Sequence, residues 1–375
     1  MNKVIISDFV EYNDETNKLG NYHYANCFIN DGYEVLWMSN AFNQLIYFKD
    51  KKDYRFKKSI SKPERHKLSE NIYGYAPYSL WLYGNYPLHR SSNAILNGDK
   101  FIIPRINNTL RKIGFQDVDI LWISNPKHYW LTKVVKYKKL IYRIPDDFSK
   151  FSEYPKSVAE IEEKLIDKSD IVFITSKLLE DKVLRRNKKP YLLNNGVEFQ
   201  RFNKSTTCPK EYSKMRKNIV YVGAIKYWFD IGLVKRLANE VDGEIYLIGD
   251  PKIDLSELKD LPNVHILGAK PYKDIPAYLQ HGDVAIIPFI KSELTDAISP
   301  IKLYEYCSAG ISVVSTNMRE TANLNAPIYI AKDNDEFIDG VKYYLENENK
   351  REQSIDFAKN NSWNSRYEYA KSIFI

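Results

Sequence analysis

Short apolar runs alternate with amphipathic stretches from one end of this chain to the other, and few folds accommodate that rhythm. Residues 4–7, 33–38, 119–123, 140–144, 171–175 and 191–193 read as strands. Helices are predicted at 21–30, stopped by Asp31-Gly32, and at 158–166, with Val158, Ile161, Leu165 and Ile166 on one face. A further helix follows Ser176 as its cap. A second alternating set follows, with strands at 219–222, 244–248, 264–267, 283–288 and 312–315 and helices at 230–239 and 274–279. Strands separated by helices pair in parallel under a helical cover. The expectation is an α/β protein of two Rossmann-like, doubly wound domains facing a cleft. The polar, unperiodic stretch 203–217 reads as the linker.

With 375 residues the chain is long enough for two such domains. A 44% hydrophobic and 27% charged composition is that of a globular protein. Three scattered cysteines, Cys27, Cys208 and Cys307, suit a reducing compartment and no disulfide framework. The start, residues 1–8, lacks the length and small-residue cleavage site of a signal peptide. Gly74, Pro77, Gly84 and Pro87 interrupt the longest uncharged stretch, so no membrane span is expected. Charge is unevenly placed. Residues 1–200 carry 32 Lys+Arg against 24 Asp+Glu, and 51–150 alone carry 20 against 8, whereas the remainder is balanced. The two halves should therefore meet different partners.

The run Ser299-Pro300-Ile301-Lys302-Leu303-Tyr304-Glu305-Tyr306-Cys307-Ser308-Ala309-Gly310 reads as a short helix with Ser299 as N-cap, Pro300 at the first position and Gly310 as the stop. Lys302 then falls in the first turn, where the helix dipole disfavours a cation unless an anion occupies the exposed N–H groups. Glu305 follows on the same face, a carboxylate able to accept two sugar hydroxyls. Cation and carboxylate one turn apart fit a nucleotide, although a capped helix with a surface ion pair has the same spacing.

Read in order, Ser169-Asp170-Ile171-Val172-Phe173-Ile174-Thr175-Ser176, Asn194-Asn195-Gly196-Val197-Glu198-Phe199, Val222-Gly223-Ala224-Ile225, Leu261-Pro262-Asn263-Val264-His265-Ile266-Leu267-Gly268 and the helix above resemble GT-B glycosyltransferases. The likeness is to family-4-like bacterial enzymes of exopolysaccharide and teichuronic acid synthesis, and to the xanthan glucuronosyltransferase. This resemblance implies an acceptor domain over 1–203, a nucleotide-sugar donor domain over 204–360, and a helix at 361–375 packing back on the first. It implies a metal-independent hexosyltransferase with no cofactor, using a donor that is UDP-linked by family precedent. The acceptor would be a polyprenyl-diphosphate-linked or growing cell-surface glycan. Carried over by position, Glu305 would hold the ribose, and Lys302 and the Ile301 N–H the diphosphate beside Ser299. Gly223 would keep the phosphate loop open and Lys226 would reach it, while Lys270 and Tyr272 would border the base. The usual Glu-x7-Glu pair is broken, its first Glu falling at Ala297, with Asp296 and Glu293 out of register. Stereochemistry is therefore open. Inversion would need a base, for which Asp146, Asp147 and the lone His23 are the candidates; with retention the two aspartates would orient the acceptor.

Between 51 and 111, Lys51, Lys52, Arg55, Lys57, Lys58, Lys62, Arg65 and Lys67 precede Tyr73, Tyr75, Tyr78, Trp81, Tyr83 and Tyr86. Basic and aromatic residues together suit an anionic membrane surface, hence a cytoplasmic protein held peripherally at the inner face. A solvated loop above a buried aromatic cluster is the plainer alternative. Nucleic acid is not expected, because no recognition motif accompanies the charge. A catalytically inactive GT-B scaffold that binds a partner or glycan is the non-enzyme alternative.

Overall fold

The computed structural model describes residues 2–15, 18–84, 89–151, 154–347 and 351–375. Two units are present: Met1–Leu193 with Tyr369–Ile375, and Asn194–Glu368. The sequence places the division at 203/204, ten residues too late. Asn194 and Asn195 belong to the second unit because their side-chain amides donate to Glu320 Oε1 (3.2 Å) and to the Ser299 carbonyl (2.8 Å). The Val197 N–H, likewise, bonds the Asn361 carbonyl at 3.2 Å. The expected linker is not a free tether either. Phe199–Asn203 is helical, Tyr212 is buried with its hydroxyl on the Tyr278 carbonyl (2.7 Å), and Gln280 Nε2 donates to the Phe202 and Lys204 carbonyls. Of the C-terminal helix Trp363–Phe374, only the residues from Tyr369 onward count with the first unit. There Phe374 stacks on Phe28, and Lys371 pairs with Asp31 at 2.6 Å.

The first unit carries an eight-stranded sheet built from β1 (Asn2–Ser7), β2 (Tyr33–Met38), β3 (His66–Ser69), β4 (Ile72–Tyr75), β5 (Asp117–Ile123), β6 (Lys136–Ile144), β7 (Ile171–Ile174) and β8 (Pro190–Leu192). Its order is β3-β4-β2-β1-β5-β6-β7-β8, parallel except for the antiparallel edge strand β3. The central strands carry apolar runs, residues 4–6, 35–38 and 120–123, buried on both faces, as a parallel sheet under helices requires.

The second unit has a six-stranded parallel sheet of β9 (Lys217–Val222), β10 (Gly243–Ile248), β11 (Val264–Gly268), β12 (Val284–Ile287), β13 (Ser312–Thr316) and β14 (Tyr329–Ala331), in the order β11-β10-β9-β12-β13-β14. Both units therefore have the expected doubly wound topology. In each, chain order reverses beside the first strand, between β1 and β5 and between β9 and β12. Such a reversal leaves a crevice at the carboxyl ends of the strands, the usual ligand position in open α/β sheets.

Local differences from the sequence reading have simple causes. Pro300, not Ser299, takes the N-cap of the helix Ile301–Ala309, while Gly310 ends it in the left-handed conformation (φ 73°) as expected. Ser176 caps a 3-10 turn, Lys177–Leu179, ahead of the helix Glu180–Leu184. Among the described residues no helix is long and apolar enough to cross a membrane.

Candidate active site

At the reversal point of the second sheet, β9 ends in Tyr221-Val222-Gly223. The helix Ile301–Ala309 is pinned against this end by Tyr306, whose hydroxyl accepts from the Val222 N–H (2.8 Å) and donates to the Val222 carbonyl (3.1 Å). One turn earlier, the Lys302 ammonium lies over the rings of Tyr221 (4.4 Å) and Phe289 (4.5 Å). It donates to the Tyr221 hydroxyl at 2.9 Å, which itself donates to the Ala224 carbonyl at 2.8 Å. Gly223 provides the room. A Cβ there would sit 2.5 Å from Lys302 Nζ, and φ of +144° is strained for any other residue. The flexible end of Lys302 could swing aside from a Cβ, so the backbone conformation is what demands glycine here. Gly249, which sequence reasoning did not single out, is equally constrained: a Cβ would fall 1.8 Å from the Gly223 carbonyl oxygen.

Burial lowers the Lys302 pKa from 10.5 to about 7, against the opposing pull of Glu305. Glu305, buried one turn on, is raised from 4.5 to about 7 by burial, opposed by a hydrogen bond from Tyr272 and by the Lys302 charge. Two groups that each shed charge when empty can regain it when an anion and hydroxyls arrive. Tyr272 is itself buried, packed on Phe202 (5.6 Å) and under the Arg201 guanidinium (5.4 Å), and meets Glu305 through its hydroxyl.

The structure thus brings Gly223, Ile301, Lys302, Glu305 and Tyr272 together, with buried Ser299 leading into the helix. Lys226 lies instead over Trp228 (5.1 Å), and Lys270 is held by Glu211 (2.9 Å). Asp296, the nearest acid to the broken carboxylate pair, accepts from the Arg319 N–H (3.0 Å) and its guanidinium (3.2 Å). It anchors the helix Arg319–Asn323.

In the first unit the two adjacent aspartates after β6 separate cleanly. Asp147 caps the 3-10 turn Phe148–Lys150, accepts from Ser149 Oγ at 2.6 Å and pairs with Lys182 at 2.9 Å. Burial opposes its charge, but Lys182 and Ser149 hold its pKa below the usual value. Asp146 makes no side-chain hydrogen bond among the described residues. Burial raises its pKa from 3.8 to about 7, opposed by nearby Arg143 and reinforced by Asp147. A second acid missed by sequence reasoning, Asp8 at the end of β1, is buried and raised to about 6, again with Arg143 as a charge neighbour. His23 is buried, with Nε2 3.3 Å from the Lys18 carbonyl and its ring edge-on to Tyr22.

Residues 216–347 match the family model described as glycosyl transferases group 1. TuaH of Bacillus subtilis strain 168, a putative teichuronic acid biosynthesis glycosyltransferase, is 26% identical over 272 residues, covering 65% of this chain and 68% of the relative. Two solved structures share the fold across the whole chain. Sucrose-phosphate synthase from Thermosynechococcus elongatus has a TM-score of 0.70 at 12% identity, covering 100% of this chain and 98% of the other. HepE from Anabaena, in complex with UDP and glucose, has 0.69 at 12%, covering 100% and 99%. With two parallel-sheet units and these likenesses together, the chain is a glycosyltransferase of the GT-B fold, resembling bacterial enzymes that build cell-surface polysaccharides.

Proposed function

We propose that the chain transfers a sugar from a nucleotide-diphosphate donor, UDP-linked, to a lipid-linked or growing cell-surface glycan. The observation that carries this is the arrangement of Gly223, Lys302 and Glu305 at the reversal point of the second sheet. A diphosphate over the first turn of Ile301–Ala309 would meet the Ile301 N–H and recharge Lys302; Glu305 would accept the ribose hydroxyls. Charge on the departing diphosphate would then be met by a helix terminus and an ammonium, with no metal or cofactor required by the reading. Lys226 would reach the phosphates only by leaving Trp228, and Lys270 would border the base only by leaving Glu211.

For the acceptor hydroxyl, Asp146 is the group we assign as base: it is half-buried and its raised pKa poises it near neutrality. Asp147 is a positioning residue through Lys182. His23 is a weaker candidate, its ring nitrogen already facing a carbonyl oxygen.

Peripheral attachment to an anionic inner leaflet is part of the reading, with its surface reassigned. Lys57 is buried against Asp53 (2.8 Å) and Glu11 (3.5 Å), Arg65 pairs with Glu34, Tyr75 is buried and Trp81 stacks on His89, while Tyr86 lies outside the described residues. Among the exposed apolar residues, Leu45 (70%) and Phe48 (78%) share the helix Gln44–Lys49, next to exposed Lys51, Lys52 and Arg55. These suit insertion flanked by headgroup contacts.

The test is calorimetric titration of UDP into the wild-type protein, Lys302→Ala and Glu305→Ala, alongside hydrolysis of a panel of nucleotide sugars. Micromolar binding lost in both variants, with slow donor hydrolysis by the wild type, supports an enzyme. Unchanged affinity removes the helix from the donor site, and binding without any turnover favours the scaffold.

A further inference from the structure

The reversal point of the first sheet opens on a cavity. Beyond the carboxyl ends of β1, β2 and β5 lies a cavity of about 1010 Å³, lined by Phe9, Asn40 and Ser79 and closed by aromatic residues that include Trp81, Tyr83 and Tyr154. Among the described residues three lysines, Lys49, Lys57 and Lys127, line it, and no Asp or Glu does. Lys57 has Asp53 and Glu11 as partners behind it. Lys127 has none: among the described residues no carboxylate lies within ion-pair distance, and its ammonium rests over the faces of Tyr154 (5.4 Å) and Tyr83 (5.9 Å). Burial, then the charges of Lys57 and Lys49, push its pKa down. An unmatched ammonium crowded by two like charges in a half-enclosed cavity is costly unless an anion arrives. His128 adds no charge, because burial and the neighbouring lysines lower its pKa to about 3; its Nδ1 faces Ser7 Oγ at 2.7 Å. His89 stacks flat on Trp81 (4.1 Å, 3°) and donates Nδ1–H to the Leu82 carbonyl, which leaves Nε2 to accept from a hydroxyl.

We infer that this cavity is a subsite for a sugar ring bearing an anionic group, a carboxylate or a phosphate, with Lys127 as its principal counter-charge and the aromatic faces as its platform. Lys49, exposed at the rim, adds long-range attraction, and Ser79, Asn40 and His89 offer hydrogen bonds to ring hydroxyls. The inference deepens the functional reading above by giving the acceptor a charge.

Three probes decide it by calorimetry and saturation-transfer NMR on the full chain: a glucuronic-acid-terminated oligosaccharide, a hexose 1-phosphate and a neutral gluco-oligosaccharide of equal length. At least one anionic probe should bind tenfold or more tightly than the neutral one, weakening as salt rises. Which anionic arm binds identifies carboxylate or phosphate. Lys127→Met should lose tenfold or more of that affinity and Lys127→Arg should restore most of it. Lys49→Glu, on an exposed helix end, should lose about threefold and serves if Lys127→Met does not fold. Equal binding of neutral and anionic probes, no anionic binding at millimolar concentration, or an unaffected Lys127→Met that melts like the wild type each overturns the proposal. UDP binding and nucleotide-sugar hydrolysis are read separately, so failure of the enzyme reading leaves the saccharide result standing.

Discussion

The two sheets reverse direction in the same way, yet one reversal point holds a lysine over two aromatic rings and the other opens on a large cavity. In the second unit Lys302 stands at the crevice, resting on two rings, beside Gly223, whose carbonyl in turn leaves no room for a side chain at Gly249. In the first, a large cavity faces lysines with too few acids to match them. One topology thus carries two arrangements: a lysine and a carboxylate held together on one helix, and a roomier cavity lined by lysines. Both units tune titratable groups toward neutrality by burial.

The comparison breaks first on turnover. Asp146→Asn should lower transfer roughly 10²–10⁴-fold with UDP affinity unchanged. Asp147→Asn should leave turnover within a few-fold but lower stability by about 1–2 kcal/mol, because Lys182 keeps only Glu162. The reverse pattern would exchange their roles, and NMR of the product anomer would show whether Asp146 acts as base or orients the acceptor. Lys302→Ala should cost roughly 10²–10³ in transfer through donor stabilisation.

The glycines sharpen the side of the second unit. Gly249→Ala should destabilise by about 3 kcal/mol or more, since backbone cannot yield 1.8 Å. Gly268→Ala, with open space but φ of +69°, should cost only about 1–2 kcal/mol. Chemical denaturation of both variants is the check, and equal losses would mean the close approach relaxes.

Acidity separates the units more gently. If Asp146 is the base, transfer should rise up to about tenfold per pH unit below 7 and flatten above it. Between about pH 4 and 7 the folded state keeps a proton on Asp146 that the unfolded state has lost, so its stability contribution falls as pH rises through that window. Lys302 behaves oppositely toward its ligand. UDP should bind more weakly as pH rises above about 7 and should take up protons on binding, visible as a buffer-dependent enthalpy. No proton uptake would mean Lys302 is already charged when empty.

The smallest effect belongs to the surface. Vesicles with anionic lipid should pull the protein down, salt should release most of it, and Phe48→Ser should remove the salt-resistant remainder. Charge reversal belongs at Lys51 and Lys52; at buried Lys57 it would test folding. Equal binding to neutral and anionic vesicles would dissolve the assigned docking face.

Strand periodicity placed nearly every central strand within a few residues, because buried parallel strands are continuous apolar runs that little else mimics. The Lys302–Glu305 cluster was legible for a similar reason: both residues share one helix, so spacing encodes their meeting. Stretch 40–105 was not legible. Its short helices Gln44–Lys49 and Lys51–Ser59 and the edge pair β3–β4 are fixed by partners far away in sequence, such as Glu11 and Glu34. A charge count cannot see that Lys57 and Arg65 are already paired. Nor could adjacency tell Asp146 from Asp147, a distinction made by Lys182, 35 residues on. Lys127 looked like any lysine, and what gives it meaning is its place over Tyr83 and Tyr154 with no acid within ion-pair distance among the described residues.

Tyr369–Ile375 completes the first unit, and that has a temporal consequence. At about 5–20 residues per second, a ribosome needs about 9–35 s to pass from Leu193 to Tyr369. For that interval Phe28 lacks its stacking partner and Asp31 its lysine, while the second unit emerges whole. The first unit is thus closed last, so a nascent chain spends its longest wait with an apolar gap in that unit.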